Sequence, residues 1–185
     1  MMEIYMNKDK WRDLIEKYRI NAVTSTCYGT KKTVLIGLAG PKGVGKTTFA
    51  HLIDAQVFSL ASPIKRMLAT IIPPLYIYEE KEKPIPGWPD GITGRYLLQR
   101  VGTECFREMW PEVWVTHLLN EIEKVEGLCV IDDVRFENEA RAIRNKGGSI
   151  WRLHRRGVTS SDDHISEAGL PDELVDREIS LNAQV

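Results

Sequence analysis

Short unbroken apolar runs alternate along this chain with stretches whose apolar residues recur at helical spacing. Thr33–Ala39 (TVLIGLA) is a continuous apolar run, β-branched at its start, and predicts a buried strand. A glycine-rich turn follows, and Lys46–Val57 then carries helical spacing. Phe58–Ala61 reads as a short second strand. Pro63 suits the first turn of a helix over Ile64–Ile72, which Pro73 and Pro74 stop. Periodicity is lost over 73–94, where five of the nine prolines fall, so an irregular excursion is expected there. Helical spacing resumes over Thr93–Met109 and Val113–Val125, split by Pro111, and Gly127 ends the second stretch. Leu128–Ile131 (LCVI) is a second buried-strand pattern, and two aspartates follow it. Phe136–Lys146 predicts a helix stopped by Gly147 and Gly148, and Ser149–Leu153 a strand. Arg155–Pro171 is polar and charged and reads as a loop or lid, and Asp176–Asn182 as a last short strand.

Strands alternating with helices predict an α/β fold, a mostly parallel sheet with helices on both faces. In such sheets ligands sit at the carboxyl ends of strands. Residues 1–32 stand apart from this pattern. Asp9 can cap a short helix on which Trp11, Leu14, Ile15 and Tyr18 recur at helical spacing, and a small polar linker follows. The expected organisation is an N-terminal extension over 1–32 and one domain over 33–185.

Composition narrows the function classes. Apolar residues at 43% and charged residues at 28% are ordinary for a globular protein, so the core needs no disulfides. A net charge of −1 and the absence of a broad basic stripe with interleaved aromatics argue against nucleic acid as a partner. No run of eighteen apolar residues exists, and the N-terminus is too charged for a signal peptide, so neither a membrane partner nor export is expected. Cys27, Cys105 and Cys129 are far apart and form no CxxC, which predicts reduced thiols and a cytoplasmic location.

The chemistry begins at Gly40-Pro41-Lys42-Gly43-Val44-Gly45-Lys46-Thr47, a full G-x-x-x-x-G-K-S/T between a strand and a helix. Gly40, Gly43 and Gly45 allow a tight turn whose N–H groups point inward, and the helix N-terminus adds to the cradle for phosphate oxygens. Lys42, Val44 and Thr48 complete the expected nucleotide-binding set. Lys46 is expected to reach the β- and γ-phosphates, and Thr47 to offer its hydroxyl to Mg²⁺. Cofactors of ATP and Mg²⁺ follow. A carboxylate after the LCVI strand is placed to hold Mg²⁺ through water or to orient the attacking oxygen, with Asp133 the first choice and Asp132 the alternate. Arg135 beside them suits a phosphate oxygen.

A P-loop alone specifies a nucleotide-binding protein, and in a short chain it favours a small-molecule kinase. At this point the sequence resembles the bacteriophage-type deoxynucleoside monophosphate kinases, within the nucleoside-phosphate kinase fold of the P-loop superfamily. The resemblance covers about Val34 to Asn182 and rests on LIGLAGPKGVGKTTFA, FSLASPIKRML, GRYLLQRVGTECFREMWPEVWV, VIDDVRFENEARAIRNKGGSIWRLHR and DDHISE. The third and fourth stretches, in this order, are the specific ones.

It implies phosphoryl transfer from ATP to a deoxynucleoside monophosphate. It also implies NMP-binding and lid segments added to the P-loop fold. Lys65, Arg95, Gln99, Glu104 and Arg107 would hold the acceptor, together with Arg135. Arg155 and Arg156, ahead of Arg152, would close on the transferring phosphoryl, with His164 and Glu167 fixing the lid. Trp88, Tyr96, Phe106, Trp110 and Trp114 are available to stack on a base. Two further readings remain open from the residues: a different P-loop small-molecule kinase, or a nucleotide-binding regulator acting through a partner surface. A homodimer would also fit the unplaced N-terminal helix.

Overall fold

The computed structural model describes residues 33–158 and 169–181. The N-terminal extension, Cys27, His164, Glu167 and Asn182 lie outside the described residues. The described residues divide into two compact units, one built from those up to Ser59 together with those from Leu118 onward, the other from Leu60–His117.

The first unit is organised by five strands: β1 (Thr33–Ala39), β2 (Gln56–Phe58), β3 (Gly127–Ile131), β4 (Ser149–His154) and β5 (Arg177–Ser180). They lie in the order β2-β3-β1-β4-β5, and every pairing is parallel. Ile36 sits opposite Val130, Leu38 opposite Trp151, and Leu153 opposite Ile179. The helices of this unit include α1 (Lys46–Leu52) and α6 (Glu137–Asn145), numbered with those of the second unit below. The connection through α1 leaves β1 toward β2, and that through α6 leaves β3 in the opposite direction toward β4. Right-handed crossovers in opposite directions put their helices on opposite faces.

Side chains agree. Val34, Ile36 and Leu38 share a core with Phe49 and Ala50 of α1 and with Val130, Trp151, Leu153 and Ile179. On the other face a Cβ at Gly37 would meet Ile143 of α6 at 3.0 Å. Burying each such aliphatic or aromatic side chain contributes roughly 1.5–3 kcal/mol.

The crossovers diverge at β1 and β3, which makes their carboxyl ends the crevice for a ligand. The glycine-rich loop follows β1, and the paired aspartates follow β3.

The element expected over Lys46–Val57 is corrected. The helix ends at Leu52, Asp54 turns left-handed with φ 59°, and the strand expected at Phe58–Ala61 instead occupies Gln56–Phe58. Apolar spacing cannot distinguish the end of a helix from a short strand, and pairing of Gln56–Phe58 with Cys129–Ile131 decides it.

The second unit holds α2 (Ser62–Leu68), with Pro63 in its first turn, and the one-turn α3 (Leu75–Tyr78). An irregular stretch follows, closed by a single bridge between Pro84 and Thr93. The expected helix over Thr93–Met109 is present but changes character. Thr93 caps α4 (Gly94–Gln99), its hydroxyl accepting the Tyr96 N–H at 3.1 Å, and the helix continues as a π-helix over Arg100–Arg107. The Trp114 indole donates to the Gly102 carbonyl inside that segment at 2.9 Å. The unit boundary falls within the next helix, α5 (Val113–Ile122).

Gly94 is where this unit tolerates no side chain. A Cβ there would lie 1.8 Å from the Tyr76 carbonyl oxygen, a backbone atom that cannot turn aside. Gly94→Ala is expected to destabilise the protein by about 3 kcal/mol or more, read as a lowered urea midpoint. An unchanged midpoint would show that the α3–α4 approach is looser than described. Among the described residues no helix is long and apolar enough to cross a membrane.

Candidate active site

The loop after β1 turns through three glycines at positive φ: 130° at Gly40, 81° at Gly43 and 104° at Gly45. At Gly40 the space is closed as well, since a Cβ would lie 2.5 Å from the Leu153 carbonyl oxygen. Val44 is buried in the core under the loop and anchors it, while Lys42, Thr47 and Thr48 are exposed. The Phe49 N–H bonds the Gly45 carbonyl at 2.8 Å, which joins the loop to the first turn of α1.

Lys46 folds back over the loop. Its Nζ donates to the carbonyl of Gly40 at 2.7 Å and of Pro41 at 2.9 Å. Burial, and then the Arg135 guanidinium nearby, push its pKa down to about 8, while Asp132 and Asp133 pull it up. At neutral pH the ammonium stays charged, which is the form that phosphate oxygens attract.

Beyond β3 the chain is pinned to the strand ends. The Asp132 N–H bonds the Phe58 carbonyl at 3.0 Å, and the Val134 N–H bonds the Leu38 carbonyl at 3.2 Å. The aspartates then diverge. Asp132 Oδ2 accepts the Thr47 hydroxyl at 2.5 Å, and Asp133 Oδ2 accepts the Ser59 hydroxyl at 2.7 Å. The sequence ranked Asp133 first for the metal, yet the geometry puts Asp132 against the threonine of the P-loop. The reason is pairing: Asp132 is the first residue past β3 and its amide continues the β2–β3 ladder.

Arg152, Arg155 and Arg156 follow β4, and the structure separates them. Arg152 is tied down, its guanidinium bonding Asp172 at 2.5 Å, Glu178 at 3.1 Å and the Leu170 carbonyl. Arg155 and Arg156 are exposed in a turn closed by the Val158 N–H on the Arg155 carbonyl at 3.1 Å.

In the second unit the residues expected at the acceptor are also placed. The half-buried Lys65 on α2 has its Nζ 6.0 Å from the centre of the Tyr78 ring. Arg95 pairs with Glu82 at 2.5 Å, and Glu104 pairs with Arg100. Gln99 ends α4, and Arg107, half-buried, ends the π-helix. Trp114 is corrected as a stacking platform. It is buried, and the half-buried Phe106 packs on it with ring centres 5.1 Å apart, so Trp114 serves the core. Trp88, Tyr96 and Trp110 are the exposed aromatics of this unit's expected set.

Two residues of the site were not read from the sequence. Ser59 carried no signal, since the sequence placed it inside the strand expected at Phe58–Ala61, whereas it follows β2. Glu139, whose carboxylate takes the amides of Arg135 and Phe136, had one: an acidic residue in the third helical position.

Comparison with known proteins adds a separate observation. A model of the family described as deoxynucleotide monophosphate kinase matches residues 88–185. A protein of Acanthamoeba polyphaga mimivirus, named as a putative deoxynucleotide monophosphate kinase, is 37% identical over 161 residues, covering 74% of this chain and 82% of that protein. The deoxynucleotide monophosphate kinases of Escherichia phage RB69 and Enterobacteria phage T4 are each 30% identical, over 101 and 82 residues. Those alignments cover 52% and 42% of this chain, but 41% and 34% of the phage proteins, so the chain spans less than half of either. The family match begins at residue 88, beyond the P-loop.

Proposed function

The chain belongs to the deoxynucleotide monophosphate kinase family, and from that premise we propose that it transfers the γ-phosphoryl group of ATP to the 5′-phosphate of a deoxynucleoside monophosphate, releasing two diphosphates. The observation that carries this reading is the glycine cradle of Gly40–Thr47, with the Lys46 ammonium over it and Asp132 on the Thr47 hydroxyl. Its support is independent of the family match, which lies outside the loop. Residues 33–185 form the kinase portion in this reading, with 1–32 an extension.

The loop amides and Lys46 hold the donor, with Lys42, Val44 and Thr48 shaping the cradle around it. Lys46 leaves the carbonyls of Gly40 and Pro41 for phosphate oxygens, exchanging two neutral acceptors for charged ones. A hydroxyl and a carboxylate in contact are a hard oxygen donor pair that suits Mg²⁺, so Thr47 and Asp132 would hold it. When bound, Mg²⁺ neutralises charge on the β- and γ-phosphate oxygens. Lys65, Arg95, Gln99, Glu104 and Arg107 would bind the acceptor. Arg135, beside Lys46, would meet the phosphoryl being transferred, as would Arg155 and Arg156. The acceptor phosphate has its second pKa near ~6, so its oxygen is already ionised and no general base is required. Catalysis is positioning and charge neutralisation.

The test is ADP release from ATP and Mg²⁺ with each of the four deoxynucleoside monophosphates and their ribose counterparts. Stimulation by one or more deoxynucleotides supports the reading. Acceptor-independent hydrolysis, or no stimulation while ATP still binds, would overturn it. Arg107→Ala tests the acceptor side: acceptor kcat/KM is expected to fall about tenfold or more, with ATP affinity kept. Unchanged acceptor kinetics would remove Arg107 from the site.

A further inference from the structure

Glu139 is the one charged side chain fully buried among the described residues, with 1% of its surface exposed. A buried carboxylate is costly unless hydrogen bonds replace its water. Here a single oxygen, Oε2, accepts the N–H of Phe136 at 3.0 Å and of Arg135 at 2.8 Å. An acidic residue at the third helical position ordinarily reaches back to the N-cap amide alone, and Phe136 is the N-cap of α6. Glu139 reaches one residue further, into the loop that carries the chemistry.

That loop is consequently held from both ends. The amides of Asp132 and Val134 are fixed to β2 and β1, and those of Arg135 and Phe136 to Glu139. Between these anchors project Asp132, on the Thr47 hydroxyl, and Arg135.

We propose that Glu139 is a positioning residue for phosphoryl transfer, whose buried carboxylate sets the backbone at Arg135 and so aims its guanidinium. The proposal rests on the kinase reading above. It acts through backbone amides, so the interaction needs an acceptor oxygen rather than a charge. Glu139→Gln supplies that oxygen on a side chain of the same length, and Glu139→Ala does not.

The experiment compares the wild type with Glu139→Gln, Glu139→Ala and Ile143→Ala, the last fully buried on the same helix, with an aliphatic side chain that can accept no hydrogen bond from the loop amides. Assays run well below every thermal midpoint. Glu139→Ala is expected to lower kcat about 30-fold with KM for ATP within about threefold, while Glu139→Gln and Ile143→Ala keep kcat within about threefold. In an Arg135→Ala background the further loss from Glu139→Ala should nearly vanish, because both changes remove one function. Additive losses, or an equal loss of kcat in Ile143→Ala, would overturn the proposal and leave Glu139 as an ordinary helix cap.

Amide hydrogen exchange over residues 132–136 needs no turnover. It should rise in Glu139→Ala and not in Glu139→Gln or Ile143→Ala, and equal exchange in all variants overturns the proposal too. An inactive wild type would count against the kinase reading, and exchange would still decide whether Glu139 holds the loop.

Discussion

Lys46→Ala is expected to lower kcat on the order of 10³-fold, equivalent to about 4 kcal/mol of transition-state stabilisation. The variant removes the ammonium and the reach together. Among the described residues that ammonium bonds loop carbonyls, at 2.7 and 2.9 Å, so its loss should cost the fold little. Burial already opposes its charge, holding the pKa near about 8, and a neutral side chain there relieves that cost. The effect therefore belongs to turnover. Lys46→Arg is expected to rescue poorly, because a planar guanidinium fork does not replace a compact ammonium under a tight glycine loop. Steady-state ADP release with the preferred acceptor, paired with thermal unfolding, separates the two outcomes. A variant that keeps wild-type turnover would remove Lys46 from the mechanism, and one that loses its fold would reassign the loop carbonyl bonds as structural.

The second large effect is a contrast between neighbours. Asp132→Asn is expected to cost on the order of 10²-fold in kcat and to raise the Mg²⁺ concentration for half-maximal rate, while Asp133→Asn costs about tenfold or less. The asymmetry comes from partners. One oxygen of Asp132 lies 2.5 Å from the Thr47 hydroxyl, and two such oxygens can turn together onto one cation. Asp133 spends an oxygen on Ser59, at 2.7 Å, and steadies the end of β2. Titrating Mg²⁺ at saturating ATP for both variants decides between them. A larger loss and a larger Mg²⁺ shift in Asp133→Asn would restore Asp133 as the metal-side carboxylate.

Legibility along the chain followed the strength of local signals. β1 was read with both ends correct, because a seven-residue run, β-branched at its start and bounded by Gly40, is too short for a helix and stops at a turn. The P-loop was equally plain, since glycines at positive φ are a requirement of the turn itself. The α1–β2 boundary was misplaced because its residues suit either state until β3 pairs with one of them. The π-helical turn over Arg100–Arg107 left no mark in the spacing, and the Trp114 bond to the Gly102 carbonyl inside it joins residues twelve apart.

The same division runs through the site. Which residues are candidates for the chemistry was written in the chain: three glycines, a lysine, a threonine and two aspartates, in a pattern that suits phosphate and metal binding. Which oxygen meets which partner was not. Thr47 and Asp132 are 85 residues apart, and Ser59 and Asp133 are 74. Their pairing depends on strand order and on register, and no local pattern encodes either. Glu139 makes the point from the other direction. Its type and position were visible as a helix-start signal, but the bond to the Arg135 amide exists only because the sheet delivers the loop to it. Propensity and turn chemistry act over a few residues and can be read in order, whereas hydrogen bonds between distant segments form only once the parallel sheet has brought the carboxyl ends of β1 and β3 side by side.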